Sequence, residues 1–126
     1  PKLEQMNIKS DYGYENNPGC SLRHVEENIL NKGHEMVLDT AHFYMAEEEY
    51  IEKIEYILRE HRQKINLIHL CDSNLTEDGL AFGEGSMNIA AVSNVIADSG
   101  FDGTVVLEVM PDRQEEAKEK FEAYLE

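Results

Sequence analysis

The sequence predicts an α/β fold on a parallel sheet, from three observations. Apolar runs of strand length alternate with amphipathic helical stretches along the whole chain. Turn and capping residues separate them, as at Gly33 and Gly100. A carboxylate or imidazole lies in each predicted strand, and in three of them it lies at or near the carboxyl end.

Taken in order, "KLEQMNI", residues 2 to 8, reads as a first strand or the tail of one. "SLRHVEENILNK" reads as a short helix closed by Gly33. "EMVLD", residues 35 to 39, is a buried strand by its apolar run. Residues 46 to 62 form an amphipathic helix, with Ile51, Ile54, Ile57 and Leu58 at helical spacing. "INLIHL", residues 65 to 70, is the third strand, and a polar loop with several glycines runs from Cys71 to Ser86. "MNIAAVSNVIADSG" is a helix ending at Gly100, and "TVVLEV", residues 104 to 109, is the fourth strand. Residues 112 to 125 make a last helix with Ala117, Phe121, Tyr124 and Leu125 on one face. The order β-α-β-α-β-α-β-α fits either a small open sheet or four of the eight units of a (β/α)8 barrel. A full barrel needs about 250 residues, so a chain of 126 is half of one.

Charge and cysteines narrow the function. Eleven basic against 26 acidic residues leave a net charge of −15, which opposes binding to a phosphate backbone. The acidic helical runs read mainly as solvated faces. No apolar run reaches the length of a membrane span, and the opening residues do not read as a signal peptide. Cys20 and Cys71 lie far apart with no CxxC pairing, and are expected as reduced thiols in a cytoplasmic protein.

The candidate site follows from the strands. Glu4 lies in the first, Asp39 ends the second, His69 nearly ends the third and Glu108 nearly ends the fourth. Parallel strands bring such residues to one edge of the sheet, where α/β sites are built. Two Glu, one Asp and one His make a mostly oxygen set, suited to Mn²⁺ or Mg²⁺, with Zn²⁺ or Co²⁺ also able to bind. Without a cation the carboxylates would repel one another or lie unpaired. Asp39 and His42, three residues apart, are both expected in the site, one holding metal and the other touching substrate or a second metal, and Asp72 and Ser73, which follow His69, read as supporting residues of the site or as plain loop. Each residue also has an ordinary reading: Asp39 as a helix cap, His69 as a core histidine, "GEG" at 83 to 85 as a tight turn.

"VLDTAH", "IHLCDS", "FGEG" and "VVLEV", in that order and spacing, resemble the xylose-isomerase-like TIM barrels. That superfamily includes sugar and sugar-phosphate isomerases and epimerases together with the endonuclease IV type of DNA-repair enzyme (AP endonuclease family 2). The resemblance covers nearly the whole chain and corresponds to the last four β/α units, the C-terminal half of the barrel. It implies Glu4, Asp39, His69 and Glu108 as metal ligands, Glu4 and Glu108 also as the acid/base pair, and His42 as a site residue; His42 and, from its place after His69, Asp72 are expected as substrate-binding. The implied activity is metal-dependent sugar isomerisation or epimerisation by proton transfer next to a carbonyl. An endonuclease IV-like repair enzyme and a non-catalytic fragment are the alternatives. "EDGLAFGEG" lacks the Asp-x-His that precedes "GEG" in the endonuclease branch, and "HLCDSNL" lacks the Arg that often follows the seventh-strand His of the epimerases. Only three residues precede Glu4, so the expectation is a fragment of a longer chain; a natural half-barrel is the second explanation. Self-association along the open sheet edges, or pairing with the missing half-barrel, follows from either.

Overall fold

Among the described residues, four strands stand side by side in chain order, each parallel to its neighbours. In the computed structural model, which describes residues 13–126, they are β1 (Tyr14–Glu15), β2 (Met36–Asp39), β3 (Ile65–Leu70) and β4 (Thr104–Leu107). The helices are α1 (Leu22–Asn28), α2 (Thr40–Ala46), α3 (Tyr50–His61), α4 (Ile89–Asp98) and α5 (Gln114–Tyr124). The sequence-predicted strand at residues 2 to 8, with Glu4, lies outside the described residues.

Strand alternation divides the sheet into two faces. Met36 and Leu38 of β2 and Ile68 and Leu70 of β3 point to the helices and are completely buried. They pack in one core with Ile54, Ile57 and Leu58 of α3 and Val92 and Ile96 of α4. Ile54, Ile57 and Leu58 are among the positions whose 3.6-residue spacing marked α3 in the sequence. The opposite face carries Val37, Asp39, Leu67, His69 and Val106, all but Asp39 at least partly exposed. No helix among the described residues is long and apolar enough to cross a membrane.

The helix expected over residues 46 to 62 is α3, which begins four residues later at Tyr50, and a separate helix that the sequence did not predict, α2, precedes it. α2 starts directly after β2, and the chain leaves helical geometry at Glu47, φ −133° and ψ 130°. The Glu47 carboxylate accepts the Leu22 N–H at 2.9 Å, meeting an open donor in the first turn of α1. Three consecutive glutamates then separate α2 from α3. Gly33, at φ 83°, ends the turn after α1 in the left-handed conformation that glycine adopts without strain. Leu75 takes the same conformation, at φ 81°, without glycine's freedom.

Candidate metal centre

The register delivers four side chains to one rim. Asp39 pairs with His69 across β2 and β3. His69 pairs with Val106, so Glu108, two residues on, belongs to the same face. Glu15 pairs with Val37, two residues short of Asp39, and shares that face too. Asp39 and His69 come from the central strands, and Glu15 and Glu108 from the two edges.

These groups converge on one nitrogen. Glu15 Oε1 and Glu108 Oε1 each lie 2.9 Å from His69 Nδ1, and Asp39 Oδ2 lies 3.9 Å away. Neither close contact has hydrogen-bond geometry, so among the described residues Nδ1 is a buried nitrogen with no hydrogen bond. Buried polar atoms are rarely left so. Donor atoms of Glu15, Asp39 and His69 all lie within 4.8 Å of one another, a spacing that a single ion a little over 2 Å from each can span. The donor set fits a divalent cation: three carboxylates supply the charge and a neutral imidazole nitrogen completes the site.

Asp39 caps the next helix and still keeps one oxygen at the rim. Its Oδ1 accepts the His42 N–H at 3.0 Å and caps α2, while Oδ2 faces the rim. Burial is the main cause that pushes its carboxyl up to about 7; the charges of Glu108 and Glu15 add to it, against the His42 amide and ring. In a metal-free protein Asp39 is therefore partly protonated near neutral pH. A cation would favour the ionised form.

His42 sits beside this group. Its Nδ1 donates to the Asn16 carbonyl at 2.7 Å. Its Nε2 lies 2.8 Å from Asp78 Oδ2 and 3.5 Å from Asp39 Oδ2. Burial opposes its charge, but the Asn16 carbonyl and the Asp39 and Asp78 carboxylates outweigh burial and raise its pKa above the usual imidazole value. Asp39, His42 and Asp78 form a second potential ligand group. When protonated, His42 places its positive charge between Asp39 and Asp78 without any ion.

Asp72 was expected at the substrate. The structure encloses it: it is fully buried, with Oδ1 accepting from Ser73 and Met87 and Oδ2 from Gly83 and Gly85. Four N–H groups fill the carboxylate's acceptor sites, so it organises the loop behind the rim. "GEG" thereby gains a reason. Gly83 takes φ 98° to aim its N–H at Asp72, and a Cβ at Gly85 would run into the Ser73 carbonyl and the Asp72 carboxylate. Glu84 turns outward to Arg113. Burial pushes the Cys71 thiol up to about 12, which removes it from thiolate chemistry.

Sequence reasoning missed three residues of this rim: Glu15, Asn16 and Asp78. Glu4 lies outside the described residues, and the β1 carboxylate that reaches His69 is Glu15. "GYENNPG" carried a usable signal, an aromatic–acid pair followed by an Asn-Pro-Gly turn.

Comparison with known proteins gives the same frame. The crystal structure of a D-tagatose 3-epimerase-like protein is similar to 98% of this chain at 25% identity and a TM-score of 0.70. A crystal structure of the IOLI protein with a binding zinc atom shares the fold over 98% of this chain, at 18% identity and a TM-score of 0.55. The chain spans about half the length of each, 49% and 48%. No curated protein matches the sequence. The family model described as xylose isomerase-like TIM barrel matches residues 6–126, and the chain belongs to that family.

Proposed function

We propose that this chain forms the metal-binding half of a divalent-metal-dependent isomerase or epimerase acting on a small sugar or sugar phosphate. The observation that carries the reading is the buried His69 Nδ1, without a hydrogen bond among the described residues and ringed by Glu15, Asp39 and Glu108. A similar 25% identical structure is of an epimerase-like protein, which favours this chemistry within the family.

Glu15, Asp39, His69 and Glu108 would hold the cation, which when bound supplies Lewis-acid polarisation of the substrate's carbonyl and hydroxyl oxygens. Asp39 and His69, on central strands with side chains 2% and 17% exposed, are fixed ligands. Glu15 and Glu108, at 41% and 39%, approach from opposite edges of the sheet and remain open to substrate. One accepts the proton from the carbon next to the carbonyl, and the other returns a proton from the opposite face. His42 stands at the rim with Nδ1 on the Asn16 carbonyl and Nε2 on Asp78, so it would donate to a substrate oxygen only by exchanging the Asp78 contact for it. Asp72 supports the loop that carries Asp78. The partner of the chain is a complementary four-unit half-barrel, which covers the exposed sheet face and supplies the remaining substrate contacts. A net charge of −15 opposes a DNA substrate.

The test has two parts. Calorimetric titration with Mn²⁺, Mg²⁺, Co²⁺ and Zn²⁺ should give one site per chain, lost in His69→Ala. The chain combined with its complementary half should then incorporate solvent deuterium next to the carbonyl of a substrate sugar. A chain that binds none of the four ions, or binds them equally well without His69, refutes the proposal.

A further inference from the structure

We infer that Asn16 is a positioning residue: it fastens β1, and with it Glu15, to Asp39 and His42. This rests on the metal-centre reading only in saying what the fastening serves.

Backbone pairing between β1 and β2 stops at Glu15 and Val37. The Asn16 side chain then takes over. Its Nδ2 donates to the Asp39 carbonyl at 3.0 Å, and its Oδ1 accepts the Asp39 N–H at 2.8 Å. A primary amide offers the same donor and acceptor as a peptide group, so it adds one more rung to the ladder where the β1 backbone has already turned away toward Pro18. The Asn16 carbonyl accepts from His42 Nδ1 at 2.7 Å, which fixes the ring so that Nε2 faces the carboxylates. All three bonds come from one residue that is 1% exposed.

The chemistry selects asparagine. Aspartate at neutral pH has no proton for the Asp39 carbonyl, and serine has one oxygen where two atoms are needed. Glutamine is a methylene too long for the gap. Without Asn16, the Asp39 N–H and C=O that face β1 are buried without their partner. Glu15, the adjacent residue, lies 2.9 Å from His69 Nδ1, so the same rung sets where its carboxylate stands. Holding the ligands in place before the ion arrives is what gives a site its affinity.

Amide hydrogen exchange followed by NMR on the metal-free chain tests this. In Asn16→Ala the Asp39 amide should exchange at least roughly tenfold faster relative to the Ile68 and Leu70 amides, which normalise for global stability. Mn²⁺ affinity should fall by roughly tenfold or more, as is usual on loss of a supporting contact. In the wild-type chain, the Asn16 Nδ2 protons should exchange at least roughly tenfold more slowly than those of the exposed Asn17, a measurement that stands if Asn16→Ala does not fold. An Asp39 amide exchanging at the wild-type relative rate in Asn16→Ala, or Asn16 side-chain protons exchanging like those of Asn17, overturns the inference. A wild-type chain that binds no Mn²⁺ refutes the metal-centre reading instead, and leaves the fastening to be judged by exchange alone.

Discussion

Replacing Asp39 with asparagine should stabilise the metal-free protein at pH 8 and abolish its response to divalent cations. The folded-state carboxyl is raised from 3.8 to about 7, chiefly by burial. A group raised on folding binds more protons in the native state, so its stabilising contribution is complete below the unfolded value and is lost as pH rises through the folded one. The window is therefore about pH 4 to 7. A displacement of this size corresponds to at most about 4 kcal/mol, at 1.36 kcal/mol per pH unit. His42 is also raised, so its contribution is lost in the same direction, with rising pH. The Asp39→Asn variant would keep the α2 cap, because Oδ1 alone accepts the His42 N–H. It would remove the negative charge at Oδ2, 3.9 Å from His69 Nδ1. The assay is thermal unfolding in EDTA at pH 5 and pH 8, then with saturating Mn²⁺. Wild type should lose on the order of 10 °C between the two pH values, and the variant much less. At about a hundredfold excess over Kd, Mn²⁺ should return about 2.7 kcal/mol to wild type at pH 8 and nothing to the variant. A variant that tracks wild type at both pH values, or still responds to Mn²⁺, would refute the reasoning.

Other predictions follow from the same contacts. Asp72→Ala strips the acceptor from four N–H groups around a buried site and should cost about 3 kcal/mol or more, read as a lower urea midpoint. Gly85→Ala drives a methyl group into the Ser73 carbonyl and should cost about 2 kcal/mol by the same measurement. Leu75→Gly should stabilise by about 0.5–1 kcal/mol, because a half-exposed leucine at φ 81° gains little from burial and glycine relieves the left-handed strain. Glu108→Gln, with the complementary half present, should reduce solvent-deuterium incorporation by about 100-fold or more while leaving the fold intact, as judged by circular dichroism.

Much of the frame was legible because it is local. "INLIHL" matches β3 residue for residue, since a short run of alternating and branched apolar side chains has few other stable arrangements. α4 lies within its predicted span because Asn88 caps one end and Gly100 follows the other. The separate helix α2 and the break at Glu47 were not legible, because the break involves Glu47 reaching a helix N-terminus 25 residues earlier in the chain. β1 escaped notice for a similar reason. Two residues carry no periodicity, and Tyr14–Glu15 is a strand only because Glu35 and β2 lie beside it to accept and donate its hydrogen bonds.

By itself the sequence determined the alternation of strands and helices and the metal-capable chemistry of Asp39, His69 and Glu108, since residue type and strand-end position need no long-range information. Only the tertiary structure decided that Glu15 joins them, that Asp72 faces inward to a cradle of amides, and that Asn16 ties β1 to Asp39. Those three depend on register and on which groups remain unpaired once strands meet. Both are fixed by contacts between residues far apart in the chain.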